Sequence, residues 1–232
     1  MGNLSGAANV FDARRIRQIE IAAQPLSQLV AIDDQRICFA IGDVSGKGVP
    51  ASLFMTVTKT LASALVRRTN NLGTAMRELE GELNRNNAEF LFVTAFVAVL
   101  DVESGRLTCA CAGHDMPVLL RGSTVSRLDV TAEAGPPLCA LGDFPFVASE
   151  VRLQPGDALC LFTDGVTEAT NGQGYFGAER LLQALGRPPA TATARTLVAA
   201  VRDSVRAFEA DHPPADDLTL LVIRWQPGIS AR

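Results

Sequence analysis

The sequence carries no excess of basic residues: 21 Lys and Arg stand against 25 Asp and Glu, a formal net charge of −4. Binding along a phosphate backbone needs the opposite balance, so no nucleic-acid partner is expected. An even set of cysteines is also missing. The five present (Cys38, Cys109, Cys111, Cys139 and Cys160) each sit in an apolar stretch, where a reduced thiol behaves as a small hydrophobe. A reducing, cytoplasmic setting fits that usage. Cys109 and Cys111 lack the two-residue spacing of a zinc knuckle, and strand alternation puts both on one buried face. The longest apolar run, Phe90 to Leu100 with one Thr inside, is about half the ~20 residues of a membrane-crossing helix, so no membrane insertion is expected. Residue 6 is Gly where a myristoylation signal wants Ser or Thr, and no signal-peptide core follows. What remains is a chain of 232 residues, 47% hydrophobic and 20% charged, which is enough to build a core. At roughly 150 residues per domain, with layered folds reaching about 200, one domain is the first expectation.

Residues 12–23 place Ile16, Ile19 and Ala23 at helical spacing among Arg14, Arg15, Arg17, Gln18 and Glu20, which suggests an amphipathic N-terminal helix. Ile19, Ile21 and Ala23 also alternate with period two, so the second half of that stretch reads equally as a first strand. Ile37 to Ile41 reads as a buried strand running into the loop Gly42-Asp-Val-Ser-Gly-Lys-Gly48. Pro50 suits a first helical position, and Leu53, Val57, Leu61, Ala64 and Leu65 carry a helix to Arg67-Arg68. A second helix is expected at 74–84. Short strands follow at 92–100, 106–112, 117–120 and 124–128, separated by turns such as Glu103-Ser104-Gly105, and read as an antiparallel meander. Phe146 to Leu153 and Ala158 to Phe162 flank Gln154-Pro155-Gly156-Asp157 and read as another hairpin. Helices at 178–185 and 194–210, joined through Arg187-Pro188-Pro189, and a closing strand at 218–225 complete the chain. Strands in runs and helices in pairs imply an α+β layered sandwich on antiparallel sheets.

Three acidic sites share a context: Asp43 and Asp164 each just after a buried strand, and Asp216-Asp217 just before one. Strand ends can converge on one rim, and carboxylates gathered there without Cys or His suit Mg²⁺ or Mn²⁺. Taken singly, each Asp is as well explained as a turn or cap residue. Gly42-x-x-x-Gly46-Lys47-Gly48 is not a Walker loop, which needs four residues between its glycines and Ser or Thr after Lys. Ser45 is not in a G-x-S-x-G elbow, since Asp43 stands two before it. The loop keeps one carboxylate, one ammonium and a helix N-terminus that favours anions.

Gly42-Asp-Val-Ser-Gly-Lys-Gly-Val-Pro-Ala51, Phe92-Val-Thr-Ala95, Ala112-Gly-His114, Pro155-Gly-Asp157, Thr163-Asp-Gly-Val-Thr-Glu168 and Asp216-Asp-Leu-Thr219, in this order, resemble the SpoIIE/RsbU-type branch of the metal-dependent protein phosphatases, the protein phosphatase 2C-like superfamily. The resemblance covers nearly the whole chain from Ile37 onward. It implies a four-layer αββα fold, an antiparallel β-sandwich flanked by helices, over 19–226, with 1–18 as an N-terminal helix or linker and 227–232 as a tail. It implies a two-metal Mn²⁺ or Mg²⁺ centre with Asp43 bridging, the Val44 carbonyl beside it, and Asp164 and Asp216 on one of the ions. Asp217, Lys47 and His114 are then an outer group or a phosphate contact, although a lone His is more often a structural hydrogen-bonding residue.

One family block is absent. A Gly-Gly-Asp-aromatic-x-Asp segment, whose first Asp ligates the second metal, is expected before the Ile37 strand, but Ile21-Ala-Ala-Gln24 passes straight through Pro25-Leu-Ser-Gln-Leu-Val30 to Ala31-Ile-Asp-Asp34. Either a segment is missing or the second metal site is degraded. Asp33 and Asp34 are the nearest carboxylates, yet Asp33-Asp34-Gln35 reads as a hairpin turn. The implied function is hydrolysis of phosphoserine or phosphothreonine on a regulatory phosphoprotein, such as an anti-sigma-factor antagonist, with an upstream sensory or receiver domain as regulator. The alternatives are a phosphatase-fold binding module without turnover, and a hydrolase of small phosphoesters.

Overall fold

The computed structural model describes residues 19–23, 27–85, 87–130, 134–186, 192–214 and 216–226. The expected N-terminal linker, the tail and the Arg187-Pro188-Pro189 joint lie outside the described residues. The chain folds as β1 (Ile19–Ala23), β2 (Gln28–Ala31), β3 (Arg36–Val44), α1 (Val49–Arg68), α2 (Leu72–Arg85), β4 (Val93–Asp101), β5 (Arg106–Ala112), β6 (Val118–Arg121), β7 (Thr124–Arg127), β8 (Ser149–Arg152), β9 (Ala158–Phe162), α3 (Asp164–Thr167), α4 (Gly177–Ala184), α5 (Ala194–Glu209) and β10 (Leu220–Trp225). Two antiparallel five-stranded sheets form, in the orders β1-β10-β9-β6-β7 and β2-β3-β4-β5-β8.

The period-two pattern decides the layers. Ile37, Phe39 and Ile41 of β3 meet Leu159 and Leu161 of β9 and Leu221, Ile223 and Trp225 of β10 between the sheets. The alternate residues of β9 and β10 (Cys160, Phe162, Leu220, Val222) face outward against Leu181, Leu197, Val201 and Val205 of α4 and α5. On the other sheet Cys38, Val93, Val97 and Ala110 face Met55, Leu65, Met76 and Leu79 of α1 and α2. Both faces of the central strands are covered, which is why residues 37–41 of β3, 96–100 of β4 and 158–162 of β9 are continuous apolar runs. The αββα expectation therefore holds. Cys109 and Cys111 do lie together in the inter-sheet core, and all five cysteines are free thiols.

Two expectations need correction. The strand expected from Phe146 to Leu153 is only Ser149–Arg152, and it pairs with β5, whereas β9 pairs with β10 and β6 in the other sheet. The Pro155-Gly156 turn exists, with Asp157 N–H donating to the Gln154 carbonyl at 2.9 Å, but it carries the chain between sheets and closes no hairpin. Phe146 is fully buried against α2 and meets Phe144 edge-on at 4.9 Å. The expected meander likewise breaks after β5, because β6 and β7 cross to the β9 sheet. Strand β2 has no counterpart in the expectations. Its Gln28 side chain donates to the Lys59 carbonyl at 3.0 Å and so ties α1 to the sheet edge. Helix α1 is long and apolar enough to cross a membrane, but here it lies along β3 and α2 through Ala51, Met55, Thr58, Leu65 and Val66.

The antiparallel register brings the motif ends together. Asp43 ends β3 opposite Thr94 at the start of β4, Asp164 follows β9, and Asp216 precedes β10, whose Leu220 pairs with Phe162.

Candidate metal centre

The close approach of Asp164 to the Asp216-Asp217 segment is built by small and hydroxylated residues. Thr163 N–H donates to the Thr219 carbonyl at 3.2 Å, and both threonines are buried. A Cβ at Gly165 would lie 2.3 Å from the Asp217 carbonyl oxygen, so only glycine lets α3 start there. Gly42 does the same for Asp43, since its Cβ would lie 2.5 Å from the Thr94 carbonyl oxygen.

Asp43 is half-buried and its pKa is raised, first by burial and then by the charges of Asp164, Asp216 and Asp217; the Val44 N–H donated to its Oδ1 at 2.9 Å works the other way. It lines two hollows. One, of about 210 Å3, is walled by Asp43, Thr94, His114, Asp115 and Asp164. The other, of about 660 Å3, is walled by Asp43, Val44, Lys47, Lys59, Asp216 and Asp217. Lys47 Nζ stands 3.6 Å from Asp216 Oδ2 with both side chains largely exposed, a pair worth at most about 1 kcal/mol and easily broken. Asp217 N–H donates to Asp216 Oδ1 at 2.8 Å.

His114 is half-buried, and its ring joins the two sheets. Nδ1 lies 3.1 Å from Thr94 Oγ1, and Nε2 lies 3.1 Å from the Phe162 carbonyl. A carbonyl only accepts, so Nε2 carries the proton and Nδ1 accepts from the Thr94 hydroxyl. Burial lowers the His114 pKa, against the opposing pull of Asp115 and Asp164. The ring thus fixes the strand before Asp164 against the strand opposite Asp43, and both of its nitrogens are occupied. Asp115, which the sequence reading did not single out, adds a carboxylate to the smaller hollow; its only signal was its place beside His114.

The other motif blocks resolve into structure. Asp157 is fully buried and accepts from Arg121 Nε at 3.0 Å, Arg121 Nη2 at 2.7 Å and Gln154 N–H at 2.7 Å, so the Pro155-Gly-Asp157 block is a sheet-crossing anchor. Asp33 is a turn residue as its sequence implies: Oδ1 accepts from Gln35 and Arg36 N–H, and Oδ2 from Arg36 Nε. It sits at the opposite end of the nine-residue β3 from Asp43, roughly 25 Å away at the usual strand rise, and cannot replace the absent ligand. His212 is exposed and Trp225 packs in the core, its Nε1 donating to the Val102 carbonyl at 2.8 Å.

The donor set fits a hard divalent cation: it is all oxygen, and the carboxylates around Asp43 repel one another in a way that such an ion would cancel. Among the described residues, however, no three Asp, Glu, His or Cys side chains close on one point as a finished shell.

The profile of the family Stage II sporulation protein E (SpoIIE) matches residues 33–226. Phosphoserine phosphatase RsbU of Bacillus subtilis (strain 168) is 29% identical over 192 residues, 83% of this chain and 56% of RsbU. The chain thus spans little more than half of that relative. Among solved structures, the PP2C phosphatase domain with a regulatory fragment of SpoIIE from Bacillus subtilis superposes with a TM-score of 0.74 at 15% identity, over 89% of this chain and 62% of that one. The catalytic domain of the serine threonine protein phosphatase PstP, in complex with two manganese ions, superposes with a TM-score of 0.57 at 14% identity, over 90% of this chain and 99% of that one. Both structures share the αββα fold, and with the family profile covering the motif blocks from Asp33 to Gln226, the chain belongs to the SpoIIE family.

Proposed function

We propose that this chain is a divalent-metal-dependent phosphoserine and phosphothreonine phosphatase domain that acts on a regulatory phosphoprotein in the cytoplasm. One observation carries the reading: Asp43 lines two hollows at once, with Asp164 in one and Asp216 in the other. Asp43, Asp164 and Asp216, with the Val44 carbonyl beside them, would hold Mg²⁺ or Mn²⁺. The ion supplies neutralisation of phosphoryl charge and acidification of water. The side chains do the rest. Lys47 leaves its weak pair with Asp216 to meet a phosphate oxygen, beside the N-terminus of α1, whose Ala51 and Ser52 line the same hollow. His114 stays neutral and holds the Asp164 strand in place without passing a proton. Asp217 braces Asp216 through its N–H.

The family resemblance and the phosphoserine phosphatase name of the relative support the phosphoprotein substrate, with an anti-sigma-factor antagonist as the kind of protein it would be and a sensory or receiver domain as the kind of regulator. The test is phosphate release from a phosphoserine protein by the whole chain with Mn²⁺. Release should stop with chelator and with Asp43→Asn or Asp164→Asn; release untouched by these sinks the proposal. A second reading, a phosphatase-fold binding module without turnover, draws on the open carboxylate arrangement and the missing Gly-Gly-Asp block. It predicts phosphopeptide binding with no release at saturating Mn²⁺.

A further inference from the structure

Apolar side chains stand in solvent on both sides of the Gly46-Lys47-Gly48 loop. Val49 and Leu53, in the first turns of α1, are 72% and 62% exposed, and Phe90 and Phe92, just before β4, are 89% and 41% exposed. The two segments are joined: Ser45 N–H donates to the Phe92 carbonyl and Phe92 N–H to Ser45 Oγ, both at 2.9 Å. Leu91 packs beside Gly46.

Phe90 is not merely left outside. Its φ is +53°, a left-handed backbone that a bulky side chain rarely adopts. The turn that imposes it is braced by Asn87, whose Oδ1 accepts from Leu91 N–H at 2.8 Å while Nδ2 donates to the Leu91 carbonyl at 2.6 Å. A turn braced by these two bonds thus holds an aromatic ring in water beside the candidate phosphate loop. Val57 of α1 is also 49% exposed, and the exposed Ser52, Thr56, Thr60 and Ala64 beside it carry no charge, the first exposed charges of the helix being Arg67 and Arg68 at its far end.

We infer that Val49, Leu53, Phe90 and Phe92 form the docking surface for the phosphoprotein substrate and receive an apolar residue next to its phosphoserine. The inference rests on the phosphatase reading of the same site. The occupant follows from continuity with that site. A phosphoserine side chain is short, so a protein whose phosphate reaches Lys47 and Asp43 must lay its backbone on this rim. A small phosphoester covers none of it.

The test uses two fluorescein-labelled phosphoserine peptides, identical except for Leu or Ser on either side of the phosphoserine, with p-nitrophenyl phosphate as the small ester. With the Mn²⁺-loaded chain, the Leu peptide should bind about tenfold more tightly by fluorescence anisotropy and show a similar gain in kcat/KM, the low end of what an apolar group gains in a pocket. Phe90→Asn keeps a residue that accepts the left-handed backbone, and Leu53→Ser alters an independent position on α1. Either should reduce the preference several-fold and the pair should abolish it, with p-nitrophenyl phosphate hydrolysis unchanged within twofold. Equal binding of the two peptides overturns the inference, as does a parallel loss of p-nitrophenyl phosphate hydrolysis. A dimer seen by sedimentation in the parent chain and lost in the variants would assign the patch to a second copy and also overturn it. A Leu preference in binding without hydrolysis of any phosphoester would support the docking surface while refuting the phosphatase reading.

Discussion

Replacing Asp157 should destabilise the fold more than any exposed acidic substitution, and by an amount that can be bounded. Its carboxylate is 2% exposed and accepts three hydrogen bonds, while its partner Arg121 is 37% exposed. Removing one partner of a buried ion pair costs about 3–5 kcal/mol. In Asp157→Ala the abandoned guanidinium can rehydrate through its exposed edge, which places the loss near the low end, about 3 kcal/mol. In Arg121→Ala the abandoned group is a carboxylate sealed from water, so the loss should lie near the high end, about 5 kcal/mol. At roughly 2–4 °C per kcal/mol for a chain of this size, Tm should fall by about 6–12 °C for Asp157→Ala and by about 10–20 °C for Arg121→Ala. Thermal unfolding followed by circular dichroism reads both. A Tm change below about 2 °C for either variant, or a larger fall for Asp157→Ala than for Arg121→Ala, would refute the anchoring argument.

Gly165→Ala puts a methyl 2.3 Å from the Asp217 carbonyl oxygen. Backbone must move, at a cost of about 1–3 kcal/mol, and Mn²⁺ affinity measured by calorimetry should fall as Asp164 and Asp217 separate. Asp43→Asn removes a half-buried carboxylate repelled by three neighbours, so in chelator its Tm should rise above that of the parent chain. The His114 pKa is depressed from 6.5, so below pH 6.5 the unfolded chain binds a proton that the folded chain does not, and stability falls as pH drops. His114→Gln should flatten that slope between pH 7 and 5 in urea titrations; an unchanged slope assigns the proton uptake elsewhere.

Elements whose own residues decide them were legible in the sequence. Pro50 followed by apolar residues at helical spacing marks α1, and Ile37 to Ile41 marks β3, because local pattern and burial agree there. Pairing partners were not legible. Gln154-Pro155-Gly156-Asp157 has hairpin chemistry, but a turn fixes only a reversal of direction; which sheet receives each strand depends on where Leu159, Leu161 and Val151 find apolar partners. Strand β2 was missed because Gln28 to Ala31 is short and edge-like, and its burial is partial throughout. At the candidate site, the convergence of Asp43, Asp164 and Asp216 was legible because their motif blocks lie at strand ends and travel together. A structural hydrogen-bonding role for His114 was the commoner expectation for a lone histidine, but its partners Thr94 and Phe162, and the role of Asp157, needed coordinates, since a staple between two sheets and a buried anchor leave no spacing signature. Asp115 carried no signal apart from its neighbour.

The most direct test of the central claim, that these carboxylates form a hard-cation centre around Asp43, is calorimetric titration of Mn²⁺ into the whole chain and into Asp43→Asn. The account predicts saturable binding to the parent chain. It also predicts a weakening in the variant of at least the 10–100-fold that loss of even an outer partner costs a metal site. Absence of Mn²⁺ binding by the parent chain, or equal affinity in the variant, would contradict it.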